Sequence, residues 1–339
     1  MNSPSKKRSV FVFNGDADGI ISQHLLHLDG ITPALRVTGL KRDLRLLQHV
    51  PESLVGEEGL DLCVCDINLG DNRDDLLRML RNPTIRVTWY DHHEPGEVPR
   101  SSRFRSHIVT ARGTCTALLV HADLARKGSE PDPRWAAMAA FGDNVPEAAD
   151  ALLATLALPA SEREGLQESL REAGELLNYN AYGESLDDVL FAPLHVAECM
   201  SAFRDPVAFL QESGLIAPLR AQLHEDEQAM IGLSPVDSRS GASLYALPGE
   251  AWARRLGSTF ANRVALAEPD RAVAILHPLH DGSFQVSVRA PHGRKDAPPA
   301  SALAREFPSG GGRALAAGIN RLPPDAVEAF TKRFFEVYK

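Results

Sequence analysis

The chain has 339 residues, with 36 Lys and Arg against 45 Asp and Glu and a formal net charge of -9. That balance excludes a broad basic surface for duplex DNA or for an anionic membrane, while 44% hydrophobic residues suffice for two domains with their own cores. Cys63, Cys65, Cys115 and Cys199 suggest neither a disulfide framework nor a zinc spacing, and no apolar run approaches the roughly 20 residues of a membrane span, so the expected compartment is the reducing cytoplasm.

Residues 9–13 read as a strand that runs into Asn14-Gly15-Asp16-Ala17-Asp18-Gly19. A helix follows, with Ile21, Leu25 and Leu28 on one face and His24 and His27 expected at the surface. A short strand is predicted at 37–39 and a short helix at 43–50. Residues 60–65 read as a third strand ending at Asp66; Cys63 and Cys65 share one of its faces in an apolar role. After a helix at 72–80, a strand at 85–90 delivers Asp91-His92-His93, and Pro95-Gly96 turns the chain. An isolated Asp-His-His is more often a polar loop than a site. Three strands that each end in carboxylate or imidazole are what a metal centre at the edge of an open α/β sheet requires.

A further strand is expected at 106–109. Gly113 then turns into a helix whose free amides could meet an anion, although an ordinary capped helix explains the same pattern. A small-residue helix at 135–141 ends in Gly142-Asp143-Asn144, and 150–235 is helical and rich in Glu. Residues 236–241 look like a linker. Beyond it come a strand at 242–247, a helix at 252–266 and a pair of strands at 273–276 and 284–289. Gly310-Gly311-Gly312 is expected to open a small-residue helix with Arg313 at its mouth, in a locally basic segment that also holds Arg289, Arg294, Lys295 and Arg305. Strand–helix alternation predicts an α/β fold: a doubly wound, mainly parallel sheet and a smaller C-terminal α/β domain.

The order Asp16-Ala17-Asp18-Gly19, Asp66, Asp91-His92-His93, Gly142-Asp143, then Ser287-Val288-Arg289 and the run from Gly310 to Gly318 resembles the DHH phosphoesterase superfamily over most of the chain. The resemblance implies a DHH catalytic domain over 1–190, a connecting helix and linker over 191–241, and a DHH-associated substrate-binding domain over 242–339. It also implies a two-ion centre, usually Mn²⁺, with Mg²⁺ or Co²⁺ as substitutes. Asp16 and Asp66 would hold one ion, and Asp18, Asp66, His92 and Asp143 the other. Catalysis would rest on Asp66, His92 and His93, with His93 facing the scissile phosphate and Asp91 supporting it. His93, Arg289, Gly310, Gly311, Gly312 and Arg313 would bind substrate.

Two positions depart from the family pattern. Asn14 stands where many members have His or Asp and is a weaker ligand. Arg313 stands where His commonly follows three glycines, and its planar fork suits phosphate. The expected enzyme is a two-metal phosphodiesterase that converts short oligonucleotides or dinucleotides to nucleoside monophosphates, with its active site in the cleft between its domains. The alternatives are a RecJ-like single-strand exonuclease and a non-catalytic nucleotide- or nucleic-acid-binding protein of the same fold.

Overall fold

A computed structural model describes residues 8–55, 59–294 and 296–339, which leaves Lys295 of the basic segment outside the described residues. The chain divides into two compact units. The first runs to Tyr182 and includes Val189–Ala221, and the second comprises Gly183–Asp188 and Gln222–Lys339.

The first unit is built on β1 (Arg8–Asn14), β2 (Leu35–Gly39), β3 (Leu60–Cys65), β4 (Arg86–Asp91) and β5 (Phe104–Ile108). All pair in parallel, in the order β2-β1-β3-β4-β5. Alternation sets the two faces of this sheet. Val10, Val12, Leu62, Val64, Val87 and Trp89 join one core with Leu76 and Met79 of the Arg73–Met79 helix. Phe11 and Phe13 point the other way and are also fully buried. The order reverses between β1 and β3, and the carboxyl ends of strands at such a reversal form a ready crevice for ligands.

In the second unit, β6 (Asp237–Arg239), β7 (Ala242–Ala246), β8 (Ala272–Pro278), β9 (Phe284–Arg289), β10 (Gly310–Gly312) and β11 (Ala316–Leu322) form a mixed sheet. Only β7 and β8 pair in parallel, across the Ala251–Ala267 helix. Phe330, Phe334 and Tyr338 of the C-terminal segment cover the opposite face with Leu244, Ala274, Val286 and Val288.

Several elements differ from the sequence reading. The predicted helix at 43–50 is only a 3-10 turn over Leu46–His49. The expected linker at 236–241 instead forms β6 and its turn into β7, with Ser238 opposite Ser243. The triple glycine opens no helix: Gly310–Gly312 is a strand that turns through 313–315 into β11, with Gly311 opposite Gly318. Ala314 to Ala317 have high helix propensity, but pairing of Ala316 and Ala317 with β9 overrides it. Glycine is required at 312, where φ is +130° and a Cβ would lie 2.5 Å from the Ala317 Cα.

Candidate metal centre

Asp16 caps the Ala17–Leu28 helix by accepting from the Gly19 amide at 3.1 Å. Asp18 lies in the first turn of that helix and is buried. It accepts from the Thr116 and Ala117 amides, both at 2.7 Å, at the start of the Thr116–Arg126 helix. The glycine turn at 113 therefore does aim free amides at an anion, and the anion is the chain's own Asp18. Asp66 follows β3 with φ +59°, a left-handed backbone that Asp tolerates better than most residues and that is common at functional positions. Its Oδ1 accepts from the Thr116 hydroxyl at 3.1 Å. Thr116 thus positions two carboxylates, through its amide and its hydroxyl, a role sequence reasoning missed.

Asp91 is fully buried at the end of β4. Its Oδ1 accepts from the His92 amide (2.9 Å) and the His93 amide (3.2 Å) and lies 2.7 Å from His93 Nδ1. It fixes the turn and the orientation of the His93 ring, leaving Nε2 at the free end of that imidazole. His92 Nε2 lies 3.5 Å from Asp66 Oδ1, and its Nδ1 lies 3.6 Å from Asp143 Oδ2. Asp143 follows the Pro133–Gly142 helix. Asn178 holds this corner, donating to the Gly142 carbonyl and accepting from the Ala17 amide at 2.9 Å.

Two sets of side chains have ligand atoms mutually within 4.8 Å: Asp18, His92 and Asp143, and Asp66, His92 and His93. Asp16 joins neither. Its Oδ2 lies 2.5 Å from the ammonium of Lys41, a residue with no motif around it in the sequence. Asn14, Asp16, Lys41, Asp66, His92, His93 and Asp143 line one cavity of about 280 Å³.

Burial raises Asp16, against the pull of Lys41, and raises Asp18 well above the usual carboxylate range, helped by Asp66 and Asp143. Burial likewise lifts Asp143 to about 6. Burial also opposes ionisation of Asp66, but His92, His93 and Lys41 outweigh it and hold this carboxyl low. Burial disfavours the charged form of His92, yet Asp66, Asp18 and Asp143 lift it to about 10. The Asp91 hydrogen bond raises His93. Buried Asp16, Asp18 and Asp66 with half-buried Asp143 beside them are costly unless cations meet them. The oxygen and imidazole donors of Asp18, His92 and Asp143, with Asp66 on the other ring nitrogen of His92, are of the kind that a hard or borderline divalent cation takes.

The remaining expected residues lie in the second unit. Arg289 is half-buried, with its Nε donating to Asn262 Oδ1 at 2.8 Å; burial lowers its pKa. Arg313 is exposed in the turn between β10 and β11 and has no ion-pair partner among the described residues. Glu306, the acid nearest to it in sequence, pairs instead with Arg333 at 2.7 Å. His24 departs from expectation: it is fully buried, edge-on to Trp135 with centroids 4.4 Å apart. All four cysteines are free thiols, and among the described residues no helix is long and apolar enough to cross a membrane.

No family profile and no curated protein matches the chain. Solved structures do. The exonuclease RecJ bound to manganese is 19% identical with a TM-score of 0.62, over 97% of this chain and 89% of that one. A RecJ in complex with Mn²⁺ from Thermus thermophilus is 20% identical with a TM-score of 0.62 over 97% of this chain, which spans about half of that protein (51%). The pGpG-specific phosphodiesterase PggH from Vibrio cholerae is 10% identical with a TM-score of 0.50, over 98% of this chain and 99% of that one. The chain shares its fold with these manganese-bound RecJ structures.

Proposed function

We propose that the first unit is a metal-dependent phosphodiesterase centre acting on short oligonucleotides or dinucleotides and releasing nucleoside monophosphates. One observation carries this reading: β1, β3 and β4 each end in acid or imidazole, and these side chains meet Asp143 around one cavity. Asp18, Asp66, His92 and Asp143 would hold a divalent ion, with Mn²⁺ favoured by the manganese-bound RecJ structures. Such an ion activates water and offsets charge on a phosphoryl group. His93, with its Nδ1 on Asp91, directs Nε2 to hydrogen-bond a phosphate oxygen or carry a proton. In the second unit, Arg289, Arg313 and the strand Gly310, Gly311 and Gly312 are assigned to phosphate binding, because the exposed Arg313 guanidinium suits an oxyanion and glycines without side chains let a ligand approach the backbone.

The acidic balance of the chain favours short substrates, since long strands draw on many phosphate contacts. A RecJ-like action on longer single strands is the second reading, supported by likeness to RecJ over 97% of this chain. The test is turnover with Mn²⁺ over linear dinucleotides, cyclic dinucleotides, single strands of increasing length and polyphosphate, with products resolved by chromatography. Release of nucleoside monophosphates fastest from the shortest chains supports the proposal. Rates that rise with strand length favour the exonuclease. No turnover of any of them, with metal bound, favours a binding protein.

A further inference from the structure

The first ion of a paired centre would need Asn14, Asp16 and Asp66, and these residues do not fit it. Asp16 Oδ2 already meets the Lys41 ammonium at 2.5 Å, the length of a strong charge-assisted contact. Asn14 offers a single oxygen, and that oxygen accepts from the Asp16 amide at 3.2 Å. The Asn14 amide nitrogen faces the Lys41 carbonyl at 3.4 Å. Lys41 is built into this position. Its amide donates to the Ala181 carbonyl at 3.1 Å, and its ammonium lies 5.5 Å from the Tyr182 ring centroid. The preceding turn is pinned by Asp43, which accepts from the Leu40 amide at 2.7 Å. A Cβ at Gly39 would sit 2.4 Å from that carboxylate, and one at Gly15 would sit 1.9 Å from the Gly39 carbonyl, so both glycines let the Lys41 turn close onto β1.

We propose that this centre takes one divalent ion, on Asp18, Asp66, His92 and Asp143, and that Lys41 is the cation on Asp16 in place of a second ion. An ammonium and a dication cannot share one carboxylate oxygen at bonding distance without strong like-charge repulsion. A neutral Asn beside that pair does not restore the missing charge, whereas His or Asp there adds a stronger ligand. Lys41 is a compact point charge with three donors, able to neutralise Asp16 and still face the cavity. The inference rests on the metal-centre reading above and concerns only how many ions that centre holds.

The full chain, stripped with a chelator and titrated with Mn²⁺, is measured by calorimetry and by elemental analysis after desalting. Wild type should bind about one tight ion per chain, with the electron paramagnetic resonance signal of an isolated Mn²⁺ rather than of a coupled pair. Asn14→Asp combined with Lys41→Ala should bind about two and show the coupled signal. Lys41→Met with Asn14→Asp keeps the bulk of the side chain and should do the same, while Lys41→Arg should stay near one. Retention of the first tight site in each variant reports that the centre is folded. A wild-type chain with two tight, coupled ions overturns the inference and leaves the phosphoesterase reading standing. One ion in wild type and still one in both double variants also overturns it. A wild-type chain that binds no Mn²⁺ removes the metal-centre reading itself.

Discussion

The two sheets place their polar chemistry in opposite ways. In the first unit the parallel strands all point their carboxyl ends one way, so Asp16, Asp18, Asp66 and Asp91 are buried at the sheet's edge and interlocked by hydrogen bonds. In the second unit the strands are mostly antiparallel; Arg313 is exposed in the turn after a strand of three glycines, and Arg289 is half-buried on β9, with β11 between it and that strand. Buried carboxylates cost free energy that hydrogen bonds and cations recover, which suits the first arrangement to a metal ion. The exposed Arg313 guanidinium is already solvated, so the second can exchange water for an anion cheaply. On the proposed function, rigid chemistry and adjustable capture would come from different sheet types.

Removing a carboxylate from the first unit should give the largest effect. Asp66→Asn keeps the shape but removes the charge shared with His92, His93 and Lys41, so phosphodiester hydrolysis should fall by on the order of 100–1000-fold. Asp143→Asn and His92→Ala should follow, and the rise in melting temperature expected of wild type on adding Mn²⁺ should be lost in both. Wild-type rates in purified, folded Asp66→Asn would break the assignment of chemistry to this sheet. Thr116→Val comes next. It removes the hydroxyl that holds Asp66 but retains the amide that holds Asp18, so Mn²⁺ affinity should weaken about 10-fold while saturating metal restores most of the rate. A Thr116→Val titration that overlays wild type would show that the bond does not position Asp66.

Most of the first unit was legible because its signals are local. Apolar strands that stop at Asp16, Asp66 and Asp91 announce both the sheet and the site, and Asp143 follows a small-residue helix at a readable boundary. Lys41 was not legible, since nothing in Gly39-Leu40-Lys41-Arg42 says that its ammonium will reach an acid 25 residues earlier. Thr116 shows the intermediate case: the glycine turn before its helix pointed to an anion, but the partner lies 98 residues away at Asp18. In the second unit, alanine and glycine at 310–318 carry helix propensity and turn freedom at once, and only the pairing of Ala316 to Ile319 with β9 decides for strand. His24 was misplaced for a related reason. Histidine among apolar neighbours reads as surface, and only its packing on Trp135 shows otherwise.

That burial gives a pH test of the rigid unit away from the metal ligands. Burial lowers His24 from 6.5 to about 3, so the folded chain keeps it neutral while the unfolded chain protonates it. Its contribution to stability is fully present above about pH 6.5 and is lost as pH falls toward 3. At pH 5 the loss should be about 2 kcal/mol, at 1.36 kcal/mol per unit. Urea unfolding at pH 7.5 and 5 measures it. His24→Gln, which does not titrate, should show a smaller drop between those two conditions. An equal drop in both proteins would place the acid sensitivity elsewhere.

The smallest effect is expected at Arg313, the exposed member of the adjustable region. Glu306 is taken by Arg333, so Arg313 is not needed to neutralise that acid, and the turn is held by backbone bonds from Arg313 to Ala316 and from Ala300 to Ala314. Arg313→Ala should therefore leave the melting temperature within about 1 °C, as surface substitutions away from such features usually do. Its effect should fall on capture. Loss of one solvated charge-assisted contact is worth about 1–1.5 kcal/mol, or roughly 5–10-fold in kcat/KM on a dinucleotide, mostly through KM. Arg313→Lys should recover part of this, because an ammonium keeps the charge without the planar fork. Arg289→Ala differs in kind: its guanidinium is tied to Asn262 and half-buried, so its loss should lower stability as well as raise KM. If Arg313→Ala instead lowers kcat with KM unchanged, the side chain acts on the transition state rather than on capture. The division between a rigid catalytic sheet and an adjustable binding sheet would then fail at the residue where it is easiest to measure.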